Sequence, residues 1–288
     1  MRPSQSQFLN IRGLRYHVRT WGDAAAPKLI MLHGWMDVSA SFQFLVDALA
    51  RDWHVIAPDW RGYGLTEWPQ DGYWFADYIG DLDALLTALS PDEPVDLVGH
   101  SLGGNVAGIY AGLRPHRVRK LVSLEGFGIP SGRAEDAPGK LRKWLDALAV
   151  PPGFRPYASL AEAADRLQKT NPRLSRDRAE FLAPHWAEVQ PDGHVRLQAD
   201  PKHRLPFPTV SHSGEWLASW REVTAPVLWV LATESHIKTW ATANDNEWQL
   251  RMAAFRDLRL VSVEQAGHML HHDQPERVAQ LIEEFVVG

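Results

Sequence analysis

Two kinds of hydrophobic pattern alternate along the chain. Short, nearly unbroken apolar runs occur at Leu29-Ile30-Met31-Leu32, Val55-Ile56-Ala57, Leu97-Val98, Leu121-Val122-Ser123-Leu124 and Val227-Leu228-Trp229-Val230-Leu231. Runs of this length and composition suit strands covered on both faces, as the strands of a parallel sheet are. Between them apolar residues recur at intervals of three and four: Phe42, Leu45, Val46 and Leu49; Phe75, Tyr78, Ile79, Leu82, Leu85, Leu86 and Leu89; and finally Val278, Leu281, Ile282 and Phe285. Such spacing lays one apolar stripe along a helix. The alternation predicts an α/β fold with a mostly parallel sheet flanked by helices. Phe8 to Thr20 differs, reading as a hairpin that turns at Arg12-Gly13 and adds an antiparallel edge before the parallel set.

From about Pro130 to Glu222 the rhythm breaks. No strong strand run occurs there, and 11 of the 20 prolines fall inside it. Dense proline limits helix length and favours short helices joined by loops, with amphipathic pieces around Leu141–Leu148, Leu160–Leu167 and Glu215–Trp220. The expected organisation is a core domain of residues 1–129 and 225–288 with an inserted helical cap, or lid, of residues 130–224. Within that insertion His185, His194, His203 and His212 stand nine apart. No apolar pattern repeats with them and no acidic residue recurs at a ligand spacing, so the interval is read as coincidence.

Composition removes several classes. The 288 residues contain no Cys, which excludes disulfides, cysteine-held metals and a cysteine nucleophile. A net charge of −5 lacks the basic footprint of a nucleic-acid binder. The N-terminus shows no apolar signal-peptide core, and no stretch approaches 18 apolar residues, so a soluble, cytoplasmic protein without membrane partners is the expectation. Thirteen tryptophans are the compositional oddity.

The strongest chemical signal is Gly99-His100-Ser101-Leu102-Gly103, set between the strand Val95–Val98 and a helical pattern through Val106, Ile109, Tyr110 and Leu113. A strand turning sharply into a helix strains the turning residue, and flanking glycines remove the Cβ atoms that would clash. Ser101 is thereby lifted above the sheet edge, facing the N–H groups of the helix start. Three further motifs also follow strands: His33-Gly34-Trp35, Asp59-Trp60-Arg61-Gly62-Tyr63-Gly64 and Gly267-His268. All sit at the carboxyl ends of strands, where open α/β sheets place their sites.

With these four motifs the chain resembles the α/β-hydrolase superfamily over about 1–129 and 225–288. The resemblance implies Ser101 as nucleophile, His268 as its base, and the N–H groups of Trp35 and Leu102 as oxyanion hole. The acid departs from the commonest pattern, since the aspartate expected after the strand Val227–Leu231 is replaced by Ala232-Thr233-Glu234-Ser235. Glu125, closing the strand after the nucleophile helix, is similar in position to the acid of some haloalkane dehalogenases and is the preferred acid. A carboxylate ending a buried apolar strand needs a partner, and the Nδ1–H of His268 is a candidate. Glu234 is the alternative. Asp59 and Arg61 are read as loop-ordering residues, Asn105 as a helix cap or lining residue, and His271 and His272 as covering the last helix rather than joining His268 on a metal.

A serine at the elbow fits acyl transfer. The expected activity is that of a carboxylic-ester hydrolase (a serine esterase) on small to medium apolar or aromatic substrates, with Trp35, His100, Phe127 and Met269 lining the pocket. Eight tryptophans, Trp35, Trp60, Trp68, Trp74, Trp144, Trp186, Trp216 and Trp220, lie in segments that could face it. Carbon–carbon bond hydrolysis, cofactor-free lyase or perhydrolase chemistry, and slow-turnover ligand reception are the alternatives on the same triad. No cofactor and no metal are expected, since neither a Walker A string nor a GxGxxG after a strand occurs. The one expected partner is a small-molecule substrate; nothing in the sequence fixes an oligomeric state.

Overall fold

A computed structural model describes the whole chain, Met1–Gly288. Strands β1 (Ser4–Ile11) and β2 (Leu14–Trp21) form a hairpin. Its turn residues Arg12 and Gly13 are both left-handed, with φ of 48° and 83°, the backbone that matches strand twist in a two-residue loop. The chain continues through β3 (Lys28–Leu32), α1 (Gln43–Ala48), β4 (His54–Pro58), α2 (Phe75–Leu89), β5 (Val95–His100), α3 (Leu102–Leu113) and β6 (Val118–Leu124). An insertion follows, made of α4 (Ala137–Ala149), α5 (Leu160–Thr170), α6 (Arg176–Trp186), the short strands β7 (Ala187–Val189) and β8 (Val195–Leu197), and α7 (Ser213–Arg221). The chain then returns to the sheet with β9 (Val227–Ala232), α8 (Ile237–Ala241), α9 (Asp245–Met252), β10 (Leu258–Val263), α10 (Leu270–Asp273) and α11 (Pro275–Val287).

Eight strands form one sheet in the order β1-β2-β4-β3-β5-β6-β9-β10, parallel from β4 onward. Successive strand residues point to opposite faces. Ile30, Leu32, Leu97 and Leu121 thus join the aliphatic and aromatic side chains of α2, α3, α7 and α9, while Leu29, Met31, Val98 and Val122 meet α1, α10 and α11. Double coverage explains why the strands read as continuous apolar runs. Chain order reverses between β3 and β5, whose connections leave in opposite directions, and the crevice beyond their carboxyl ends is the natural site of such a sheet.

The insertion is heterogeneous. Helices α5 and α6 build a small core of their own around Ala163, Ala164, Leu174, Ala179, Leu182 and Ala183, closed by Phe44. Helix α4 buries no residue. Helix α7 packs on α3, and its Trp216 and Trp220 belong to the main core. The β7–β8 hairpin corrects the expectation of helices and loops alone; three-residue strands are too short to show an alternation in sequence.

Candidate active site

Ser101 follows the last residue of β5 with φ 51° and ψ −112°, a strained backbone that L residues rarely adopt. Close approach of glycines makes the turn possible. A Cβ on Gly99 would lie 2.4 Å from the Gly103 carbonyl carbon, and one on Gly103 would lie 2.1 Å from the Leu32 carbonyl oxygen. The Ser101 N–H donates to the Leu124 carbonyl at 2.8 Å, fixing the elbow against β6.

Register then sets where Glu125 falls. His100 of β5 pairs with Leu124 of β6, so Ser101 and Glu125 are the first residues beyond the paired ends of adjacent parallel strands. Glu125 is left-handed, with φ 59°, and its carboxylate is buried. It accepts from the Ala232 N–H at 2.7 Å and from the Ser235 hydroxyl. The third partner is the His268 Nδ1–H, at 3.4 Å. On the other side of the ring, the Ser101 hydroxyl donates to His268 Nε2 at 3.1 Å. Serine, imidazole and carboxylate therefore stand in one chain of contacts, although 143 residues separate Glu125 from His268.

The loop carrying His268 is held at two points. His100 donates its Nε2–H to the His268 carbonyl at 2.8 Å, and the Gly267 N–H donates to Asp273 at 2.8 Å. Asp273 also accepts from Asn171 of the insertion. On the facing loop, the Trp35 N–H has no acceptor within the chain, and the Leu102 N–H lies in the first turn of α3, where no helical acceptor exists. Asp59 orders that loop by accepting from His17 at 2.7 Å and from the Ser39 N–H at 2.6 Å. Burial alone would raise its carboxyl, but the His17 bond and charge outweigh this and hold it far below the usual range. Arg61 makes two bonds of 2.6 Å to Asp81.

Four expectations need correction. Glu234 is exposed, and its carboxylate pairs with Arg173 of the insertion rather than with His268, because the residue after β9 that turns inward is Ser235. Phe127 lines no pocket: it is fully buried, with ring centroids 5.2 Å from both Trp229 and Trp248. The chain turns at the left-handed Glu125 and is pinned where Asn105 accepts from the Gly128 N–H at 2.8 Å. His100 is also buried, its ring centroid 4.8 Å from that of His268, while Trp35 is 56% exposed and Met269 partly so. Among the tryptophans, Trp60, Trp216 and Trp220 are core residues, and Trp186 donates to the Met36 carbonyl at 2.9 Å, tying α6 to the loop after β3.

Ser235 is legible in the sequence only as part of the segment that stands where an aspartate is customary, and Asp273 is not legible at all. A hydroxyl where a carboxylate is customary was the available sign for the first. For the second, only the fold shows a carboxylate five residues past His268 reaching back to Gly267.

A doubly wound sheet with a serine elbow at its switch point and a histidine on the last loop defines the class of serine hydrolases built on this architecture. A family profile described as the alpha/beta hydrolase fold matches residues 27–275, and the chain belongs to that family. It is 30% identical to a serine hydrolase-like protein of Danio rerio over 93% of this chain and 84% of the relative. It is 29% identical to a 3-hydroxybutyrate-oligomer hydrolase of Cupriavidus necator over 96% of this chain and 93% of the relative. Among solved structures, a thioesterase domain from the curacin biosynthetic pathway superposes with a TM-score of 0.85 at 25% identity, covering 97% of this chain and 99% of that one. No helix is long and apolar enough to cross a membrane.

Proposed function

We propose that the chain is a carboxylic-ester hydrolase that works through an acyl-enzyme on Ser101, with His268 as base and Glu125 as acid. One observation carries the reading: the Ser101 hydroxyl on its strained elbow is 3.1 Å from His268 Nε2, whose opposite nitrogen faces the buried Glu125 carboxylate. The serine proton passes to Nε2 as Oγ attacks the ester carbonyl. Glu125 fixes the tautomer with the proton on Nδ1 and stabilises the imidazolium that forms. The free N–H groups of Trp35 and Leu102 receive the oxyanion, and His268 returns its proton to the leaving alcohol. Water, activated by the same nitrogen, then releases the acid.

The partly exposed Trp35 and Met269 support an apolar or aromatic acyl or alcohol portion. Thioesters are a second substrate class for the same acyl chemistry, favoured by the similarity to the curacin thioesterase domain. The test is a panel of p-nitrophenyl esters of increasing acyl length, an aryl ester, a thioester and an anilide, alongside fluorophosphonate labelling. Labelling and ester turnover are both expected to vanish in Ser101→Ala. Equal labelling of that variant, or turnover of none of the panel by the unmodified protein, would sink the proposal.

A further inference from the structure

Behind the catalytic loop, three side chains from separate parts of the sequence converge on one point. Asp37 comes from the loop after β3, His100 from the end of β5 and His271 from α10, and their potential ligand atoms all lie within 4.8 Å of one another. The two imidazoles are buried; the His100 Nδ1 has no hydrogen-bond partner, while the His271 nitrogen that faces Asp37 is Nε2, whose one hydrogen-bond partner is the Ser41 hydroxyl. For His100 the tautomer follows from its neighbour: Nε2 carries the proton given to the His268 carbonyl, so Nδ1 presents a bare lone pair. That nitrogen faces the start of the Asp37 loop, since a Cβ on Gly34 would come within 2.9 Å of it. His271 Nε2 stands 4.0 Å from Asp37 Oδ2, too far for a hydrogen bond. Two ligands of one tetrahedral ion, at bond lengths of about 2.0–2.1 Å, stand roughly 3.3 Å apart, so the site closes if its atoms draw together by about 1.5 Å at most.

We propose that Asp37, His100 and His271 form a binding site for a divalent transition-metal ion of the zinc type. Two imidazoles and one carboxylate, with water in the fourth position, are a donor set that prefers Zn²⁺, Co²⁺ or Ni²⁺ to Mg²⁺ or Ca²⁺. A chain without cysteine offers no competing thiolate. Asp37 is the ligand that meets solvent, with 14% of its side chain exposed, and supplies the way in. The neighbours of the site are Ser41, whose hydroxyl is 3.2 Å from His271 Nε2 and 2.6 Å from His272 Nε2, and the ring of Phe42.

Occupancy has a consequence that rests on the proposed esterase reading. His100 ligates through one nitrogen and holds the His268 carbonyl through the other, an arrangement in which the partner of a ligating histidine is coupled to the metal. Drawing His100 toward the ion moves the loop that presents His268 to Ser101. The ion is then an inhibitor, and His100 acts as a positioning residue.

Binding and inhibition are measured separately on the full chain. Zn²⁺ is titrated calorimetrically, and Co²⁺ by its visible absorption, into the unmodified protein, Asp37→Asn, His271→Gln and His268→Ala, with urea midpoints as a check on folding. One ion per chain is expected, with affinity reduced at least tenfold in Asp37→Asn and His271→Gln and retained in His268→Ala. Unchanged affinity in folded Asp37→Asn and His271→Gln, or loss in His268→Ala, overturns the site. Ester turnover is expected to fall with the same Zn²⁺ dependence as binding, and to resist Zn²⁺ in His271→Gln. Stoichiometric binding without inhibition overturns the coupling alone. If the protein turns over no ester, the Co²⁺ spectrum still decides the site.

Discussion

Glu125 is the residue on which the chemistry and the strain of the site meet. Its left-handed backbone and buried carboxylate are both unfavourable in isolation, and they are offset by the Ala232 N–H, the Ser235 hydroxyl and the His268 ring. Replacing it by Gln keeps the volume but removes the charge that holds the His268 tautomer. Glu125→Gln is therefore expected to lower kcat for ester hydrolysis by roughly 10²- to 10⁴-fold with little change in KM. Glu234→Gln, which removes only an exposed pair with Arg173, is expected to stay within about threefold of the unmodified enzyme. A large loss in the second variant alone would reverse the assignment. Ser235→Ala leaves the carboxylate one donor short, and its expected cost is about tenfold in kcat. At this scale the positions of Ser101 and His268 are legible because each sits in a short motif after a strand. The choice between two glutamates was only half legible, because which side chain turns inward at a strand end is set by register, and Glu234 and Ser235 differ by one residue.

Elements decide how the insertion is held over the sheet edge. Its 3-10 turn Pro201–Arg204 brings His203 between two tyrosines, with ring centroids 3.8 Å from Tyr63 and 3.6 Å from Tyr73. Alongside, Tyr73 donates to Asp200 at 2.9 Å, and the backbones of Gly62 and Gly64 bond to Asp200 and Gln198. This clasp joins the loop after β4 to the far end of the insertion, while Trp186 on Met36 and Asn171 on Asp273 make the other attachments. Truncating His203 removes a stacked contact with Tyr63 and a tilted one with Tyr73 from a buried site. His203→Ala is expected to destabilise the protein by about 2–3 kcal/mol and to speed proteolysis within residues 130–224 before the sheet is cut. Limited trypsin digestion with mass spectrometry checks it; unchanged cleavage order means that the clasp does not hold the insertion. Little of this clasp could be read in advance. Proline density announced a break in the sheet, but His203 is one of four equally spaced histidines and only tertiary contact sets it apart. The small β7–β8 pair was hidden by its length, whereas the Arg12-Gly13 hairpin showed itself because its turn demands two left-handed residues.

For the molecule as a whole, the centre of the sheet is the most legible part, because strands β3, β4, β5, β6 and β9 are buried on both faces and leave no polar alternation to confuse with helix, whereas the edge strands β1 and β10 are largely exposed. Less legible was how many histidines the fold would bury as neutral rings, since burial of a polar group depends on partners that sequence does not pair. His33 is the clearest case. Its Nδ1–H donates to the Gly34 carbonyl at 2.8 Å while its Nε2 accepts from the Trp60 N–H at 2.9 Å, an arrangement that requires the neutral ring. Burial lowers its pKa to about 4, and burial likewise lowers that of His203 to about 3. In the unfolded chain both titrate near 6.5. Between pH 6.5 and about 4 the unfolded state therefore binds protons that the folded state refuses, so stability rises with pH and falls on acidification. Each histidine contributes up to about 1.4 kcal/mol per pH unit in that window, and neither contributes above pH 7. The urea midpoint is expected to be flat from pH 8 to 7 and to drop steeply from pH 6.5 to 5. In His203→Gln, which places no titrating group in the clasp, the slope below pH 6.5 is expected to shrink by the contribution of one histidine. A slope identical to that of the unmodified protein would mean that His203 is protonated in the folded state, contrary to its place between Tyr63 and Tyr73.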